Sequence, residues 1–133
     1  MRTVLVVDAS VLVTLLIDPG DAGERVADRM RGADLLAPTL VHYEVANVLR
    51  RRCNAGMLSP VQADQAFEDL QALSLLLWPF DALSARAWSL GHNLSAYDAA
   101  YVALAETAGA TLLTRDRRLA NAHGVRCAVE VIE

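Results

Sequence analysis

The chain has 133 residues, with 12 basic against 16 acidic side chains and a net charge of −4. All 12 basic residues are arginines, which excludes P-loop, Schiff-base and PLP chemistries, each of which needs a lysine amine. A hydrophobic share of 54% with 21% charged residues excludes a disordered chain, and the length fits a single domain, 1–133, able to bury ~68% of its unfolded surface.

Residues 3–7 are a continuous apolar run rich in valine, the pattern of a strand covered on both faces. It stops at Asp8, and Ser10 can begin a helix over 11–17 that Asp18-Pro19-Gly20 closes. Residues 21–31 are amphipathic, with Val26 and Met30 four apart. A second short strand at 34–37 ends at Pro38; Thr39 then caps a helix reaching about Asn54, and Gly56 stops it. Ser59-Pro60-Val61-Gln62 combines a cap, a proline at the first helical position and a capping-box glutamine, opening a helix to about Leu73. Next come a strand at 75–78, helices at 81–90 and 95–108, a strand at 111–114, a short helix at 116–122 and a last strand at 125–132. Five strands alternating with helices, and no hairpin signal, predict an α/β fold. Its form is a three-layer sandwich with a mainly parallel five-stranded sheet flanked by helices.

The N-terminus superficially resembles a signal peptide, but Asp8 interrupts its apolar region and no small-residue cleavage site follows. No stretch reaches the ~18 apolar residues of a membrane span, so a cytoplasmic protein with no membrane association is expected. Cys53 and Cys127 have no CxxC or CxxH partner and read as reduced fillers.

In a parallel sheet of this kind ligands bind beyond the carboxyl ends of the strands, which directs attention to acids placed there. Asp8 ends the first strand; it could cap a helix, yet Ser10 is also available and a buried carboxylate is costly unless ligated or hydrogen-bonded. Glu44 lies three residues after Val41 and four before Val48, toward the apolar face of its helix, with Asn47 a turn later. Asp98 stands at the capping-box position after Ser95, beside a smooth face of alanines that permits close backbone approach. Asp116 follows Thr114 at the end of the fourth strand much as Ser10 follows Asp8 at the first, although it too could cap a helix. Converging acids need a counterion, either arginines or a hard divalent cation; all-oxygen ligands select Mg²⁺ or Mn²⁺ over zinc. His42, His92 and His123 lack metal-ligand spacing and read as surface or capping residues.

The segments VVDASVLV, HYEVANVLRR, LSAYDAAYVALAE and LLTRDRRLA, in that order, resemble the PIN-domain ribonucleases, and most closely the VapC-type toxins of toxin–antitoxin pairs. The resemblance spans essentially the whole chain and implies a PIN-like, Rossmannoid sheet. It also implies that Asp8, Glu44, Asp98 and Asp116 are the catalytic, metal-binding acids, with Ser10, Asn47 and Thr114 as supporting polar groups. Arg117 and Arg118 stand where some members carry a further acid, leaving one or two bound ions open. The implied activity is Mg²⁺-dependent endoribonucleolytic hydrolysis by an activated water. The implied partners are RNA, a second copy in a homodimer, and a VapB-like antitoxin covering the active-site groove, for which the apolar stretches 11–17 and 61–73 are candidate surfaces. Arg50, Arg51, Arg115, Arg117 and Arg118 are candidate phosphate contacts, Arg52 closes the same helix end as Arg50 and Arg51, and Tyr43, Tyr97 and Tyr101 are candidates for base stacking. Two other readings stand beside this one: a nuclease of RNA maturation without an antitoxin, and a non-catalytic RNA-binding or interaction module whose acids are caps.

Overall fold

In the computed structural model, which describes residues 2–133, the apolar run Val4–Val7 forms strand β1 at the centre of the sheet. Next come α1 (Ala9–Ile17), α2 (Asp21–Met30), β2 (Asp34–Pro38), α3 (Leu40–Asn54), α4 (Pro60–Ala72) and β3 (Leu75–Trp78). The second half comprises a 3-10 turn (Phe80–Ala82), α5 (Ser84–Ser89), α6 (Ala96–Ala108), β4 (Thr111–Thr114), α7 (Arg117–Asn121) and β5 (Val129–Val131). The strand order is β3-β2-β1-β4-β5 and every pairing is parallel, so the expected mainly parallel sheet is parallel throughout.

Successive crossovers run one way from β1 to β3 and the other way from β3 to β5. Right-handed connections then put α1–α4 on one face and α5–α7 on the other, and α1 packs on α2, α3 and α4 while α5 packs on α6. Between them lies a sheet whose central residues Leu5, Val6, Val7, Leu112 and Leu113 are fully buried. Ala99 through Ala105 of α6 are all buried as well, and the alanines among them let that helix lie close over β1, β2 and β4. The direction of winding reverses between β1 and β4, which opens a crevice at their carboxyl ends.

Four local expectations are corrected. Asp8, not Ser10, is the N-cap of α1, accepting the Val11 amide. Thr39 occupies the N-cap position of α3 without a side-chain capping bond. The helix expected at 81–90 is divided: Leu83, 2% exposed, turns inward after the 3-10 turn, and α5 begins after it. The last strand is much shorter than 125–132, because side chains hold the approach to it. Glu106 Oε2 accepts the Arg126 amide at 2.8 Å, and Arg86 Nη2 donates to Gly124 O at 2.7 Å. The capping box at Ser59 and Gln62 forms in full, with proline at the start of α4.

Gly23, buried in α2, sits against the chain leaving α1: a Cβ added there would stand 2.0 Å from the Asp18 carbonyl oxygen. In an open helix Gly→Ala gains ~1 kcal/mol. Gly23→Ala should instead destabilise by about 1–3 kcal/mol through overpacking, read as a lower urea midpoint at unchanged m-value.

Candidate active site

Asp8 is the first residue beyond β1, and its amide donates to Leu113 O at 3.3 Å, extending the ladder with β4 by one step. Its carboxylate is 7% exposed. Oδ1 accepts from Ser10 Oγ at 2.6 Å and from the Val11 amide at 3.1 Å, and Oδ2 accepts from the Thr114 hydroxyl. Both hydroxyls also accept from β4's exit: Ser10 Oγ from the Arg115 amide at 3.1 Å, and Thr114 Oγ1 from the Asp116 amide at 3.0 Å. The two strand ends are thus stitched together around one buried carboxylate. Burial pushes the Asp8 carboxyl above its usual range, against the lowering effect of its three hydrogen bonds.

Glu44 projects from α3, half-buried, and Oε1 accepts from the Tyr101 hydroxyl at 2.5 Å. Burial raises its carboxyl, and the charges of Asp8 and Asp98 raise it further. Asp98 lies in the first turn of α6, where Ser95 Oγ accepts its amide at 3.1 Å. Only that half of the capping box forms. Burial raises the Asp98 carboxyl too, partly offset by Arg118 and by the Ser95 side chain, which also lowers it. Asp116 is different in kind. It caps α7 through the Arg118 amide, and its two oxygens take the Arg118 guanidinium, the shortest contact being 2.6 Å. That hydrogen-bonded pair holds its carboxyl below the usual range.

The four acids are therefore near enough to feel one another: Asp8 with Asp98, Glu44 with both, and Asp98 with Asp116. Arginine neutralises only Asp116; among the described residues Asp8, Glu44 and Asp98 make no ion pair. No three histidine, cysteine, aspartate or glutamate side chains among the described residues are gathered tightly enough to clasp an ion by themselves.

The remaining candidates separate. Ser10 and Thr114 join the cluster directly. Asn47 is exposed one turn beyond Glu44 and bonds to none of the four acids. Arg115 is engaged structurally, donating from Nη1 to Thr14 Oγ1 at 2.9 Å and from Nε to Ile132 O at 3.3 Å. Arg117 pairs with Glu133, and Arg118 with Asp116. Arg50 and Arg51 are exposed at the end of α3 and make no ion pair among the described residues. Tyr43 and Tyr97 are exposed, whereas Tyr101 is buried against Glu44 and has no face for a base. That contact was missed in the sequence, although Tyr101 follows Asp98 by three residues and so shares its helical face. Cys53 and Cys127 are both free.

Residues 5–125 match the PIN domain family. The chain belongs to that family. Ribonuclease VapC9 of Mycobacterium tuberculosis (strain H37Rv) is 35% identical over 128 residues, 96% of this chain and 98% of the relative. Among solved structures, PAE2754 from Pyrobaculum aerophilum superposes with a TM-score of 0.71 at 28% identity, covering 97% of this chain and 84% of that one. VapBC2 from Rickettsia felis, solved bound to a DNA fragment from its promoter, superposes at 0.66 with 12% identity, covering 98% and 100%; it shares the fold. Within this PIN fold Asp8 and Asp116 follow the carboxyl ends of β1 and β4, and Glu44 and Asp98 stand on α3 and α6.

A raised carboxyl costs stability once it ionises, so the cost of Asp8 is absent below its unfolded pKa and grows as pH rises through the raised folded value. Asp8→Asn removes this cost while its Oδ1 still caps α1. In EDTA the melting temperature of the variant relative to wild type should therefore be higher at pH 7 than at pH 4, with each ~1 kcal/mol reading as roughly 3–5 °C. A difference that shrinks with rising pH contradicts the assignment.

Proposed function

We propose that this PIN-domain chain is a VapC-type endoribonuclease, the toxin of a toxin–antitoxin pair, cutting RNA phosphodiester bonds at Asp8, Glu44, Asp98 and Asp116 with a bound divalent cation. The observation that carries the reading is that Asp8, Glu44 and Asp98, from three different elements, lie within electrostatic reach of one another and make no ion pair among the described residues. Isolated charges of one sign are not buried together unless a positive species joins them. The all-oxygen donor set suits Mg²⁺ or Mn²⁺. Mg²⁺ commonly takes one or two carboxylates, keeps several waters and adds a substrate phosphate, which fits acids that are coupled without forming a closed cage.

A cation held there by Asp8, Glu44 and Asp98 would supply charge for the phosphoryl oxygens and a bound water of lowered pKa. The chain's own groups do the rest. Ser10, Thr114 and the Val11 amide fix both oxygens of Asp8, so its orientation needs no adjustment during the reaction. The Tyr101 hydroxyl occupies Glu44 Oε1 and leaves Oε2 to join Asp8 and Asp98 around the cation. Hydrolysis forms the bond from water oxygen to phosphorus and breaks the bond from phosphorus to the 3′-oxygen, the water giving up one proton to solvent and the departing 3′-oxygen taking one from it.

The partner side rests on likeness to VapC proteins and on one surface. Val11, Leu12 and Val13 are core and Leu15, Leu16 and Ile17 are partly buried against it, which leaves little of the 11–17 stretch as a docking face. The groove between α3 and α4, about 470 Å³ and lined by Leu49, Ala63 and Phe67, remains for an antitoxin helix. A homodimer working in the cytoplasm completes the proposal.

Purified wild-type protein should cleave single-stranded RNA with Mg²⁺ and stop in EDTA. Asp8→Asn should lose more than about 100-fold in rate while staying folded, beyond the 10–100-fold typical for groups that only support ligands. Cleavage undiminished by EDTA, or an equally active variant, rules the mechanism out. Thr114→Val, which withdraws the hydroxyl from Asp8 Oδ2, should cost about 10–100-fold, measured as single-turnover cleavage of a labelled RNA.

A further inference from the structure

The acidic crevice does not end at Asp98. Asn93, Leu94, Ser95, Asp98, Arg118, Leu119 and Ala122 line a small pocket beside it, of about 220 Å³. Asn93 also lines a second cleft, of about 480 Å³, whose walls carry Arg86, His92, His123 and Arg126. Asn93 borders both hollows, and Ala122 and His123 adjoin in sequence, so the two lie side by side, a broken channel running from Asp98 toward the loop between α7 and β5.

The chemistry of the channel changes along its length. At the near end Arg118 faces Asp98 and Asp116. At the far end are two exposed imidazoles and two guanidiniums. One carboxylate, Glu106, borders this end, and Arg86 binds it with Nε at 2.6 Å and Nη2 at 3.2 Å. Its remaining negative charge is thereby spoken for. Arg126 gives Glu106 its amide, while its guanidinium makes no ion pair among the described residues. Bond donation by Arg86 to Gly124 O also fixes the loop that presents His123 and Arg126. A guanidinium outside any ion pair among the described residues and the His123 imidazole on a clamped loop, with the His92 imidazole on the turn between α5 and α6, suit this end to a polyanion.

We propose that this channel carries the sugar–phosphate backbone of an RNA strand on one side of the bond being cut, with Arg126 and His123 holding a phosphate several nucleotides from the acids. This rests on the nuclease reading above and extends it: the chain measures more RNA than the scissile linkage, and discrimination among RNAs includes the reach to the far cleft. The contacts would be to phosphate, so they position the strand and carry no base preference of their own.

The test uses full-length protein and a fluorescent single-stranded RNA of about twelve nucleotides in Ca²⁺-containing buffer, followed by anisotropy across a salt series, with Mg²⁺-driven cleavage measured in parallel. The double variant His123→Ala with Arg126→Ala should raise Kd about 3–10-fold and reduce the slope of log K against log salt by about 1. In cleavage it should raise KM for the long RNA more than it lowers kcat. Arg31→Ala, which removes one positive charge beyond the opposite ends of the strands, should leave both readouts at wild-type values. Unchanged Kd and salt slope in the double variant, with wild-type RNA cleavage intact, overturns the channel and leaves the nuclease reading standing. Equal losses in the double variant and Arg31→Ala also overturn it, since net charge alone would then explain binding. Wild-type protein that neither binds nor cuts RNA overturns the nuclease reading and the channel with it.

Discussion

The carboxylate of Asp8 is the point on which the two halves of the sheet depend. It is buried where β1 and β4 end side by side, and each of its oxygens is tied to a hydroxyl that in turn receives a backbone amide from the other strand's exit. One side chain therefore caps α1, joins the strands across the winding reversal, and presents negative charge at the crevice. Burial opposes that charge and three hydrogen bonds favour it. Without the hydroxyls, an unsatisfied buried acceptor would cost about 1–3 kcal/mol, enough to matter in a domain whose whole stability is ~5–15 kcal/mol.

The other acids differ in what neutralises them, and this sorts them chemically. Glu44 receives a neutral donor from Tyr101, Asp98 has the field of Arg118 at a distance, and Asp116 has Arg118 in direct contact. Serving as a cap does not take a residue out of the proposed site. Asp8 and Asp116 both cap helices, so an alanine at either place would confuse loss of the cap with loss of the charge. Asparagine separates the two.

Much of this was legible in the sequence because it is local. The β-branched run of β1, the capping box of α4 and the glycine stop at Gly56 after α3 each declare themselves within a few residues. So does the placement of acids after strands. What escaped was set by partners far away in the chain. Tyr101 meets Glu44 across 57 residues, and Arg115 meets Thr14 across 101; no window along the sequence contains either pair. The last strand was overestimated for the same reason, since Glu106, twenty residues earlier, takes the Arg126 amide. Which of two neighbouring oxygens would cap α1 could not be read either, because Asp8 and Ser10 both have the chemistry and only the packing of β4 decides.

The pairing of Arg118 with Asp116 carries a further consequence. The two residues are tethered by a single intervening position, so Arg118 presents its guanidinium to that carboxylate at a millimolar or higher effective concentration, whatever the solution contains. A cation bound as proposed would meet this resident competitor in contact at Asp116, at a distance at Asp98, and not at Asp8 or Glu44. The crevice would consequently be graded: the β1 side open to an incoming positive ion, and the β4 side yielding only to one that binds tightly enough to displace a charge already attached to the chain.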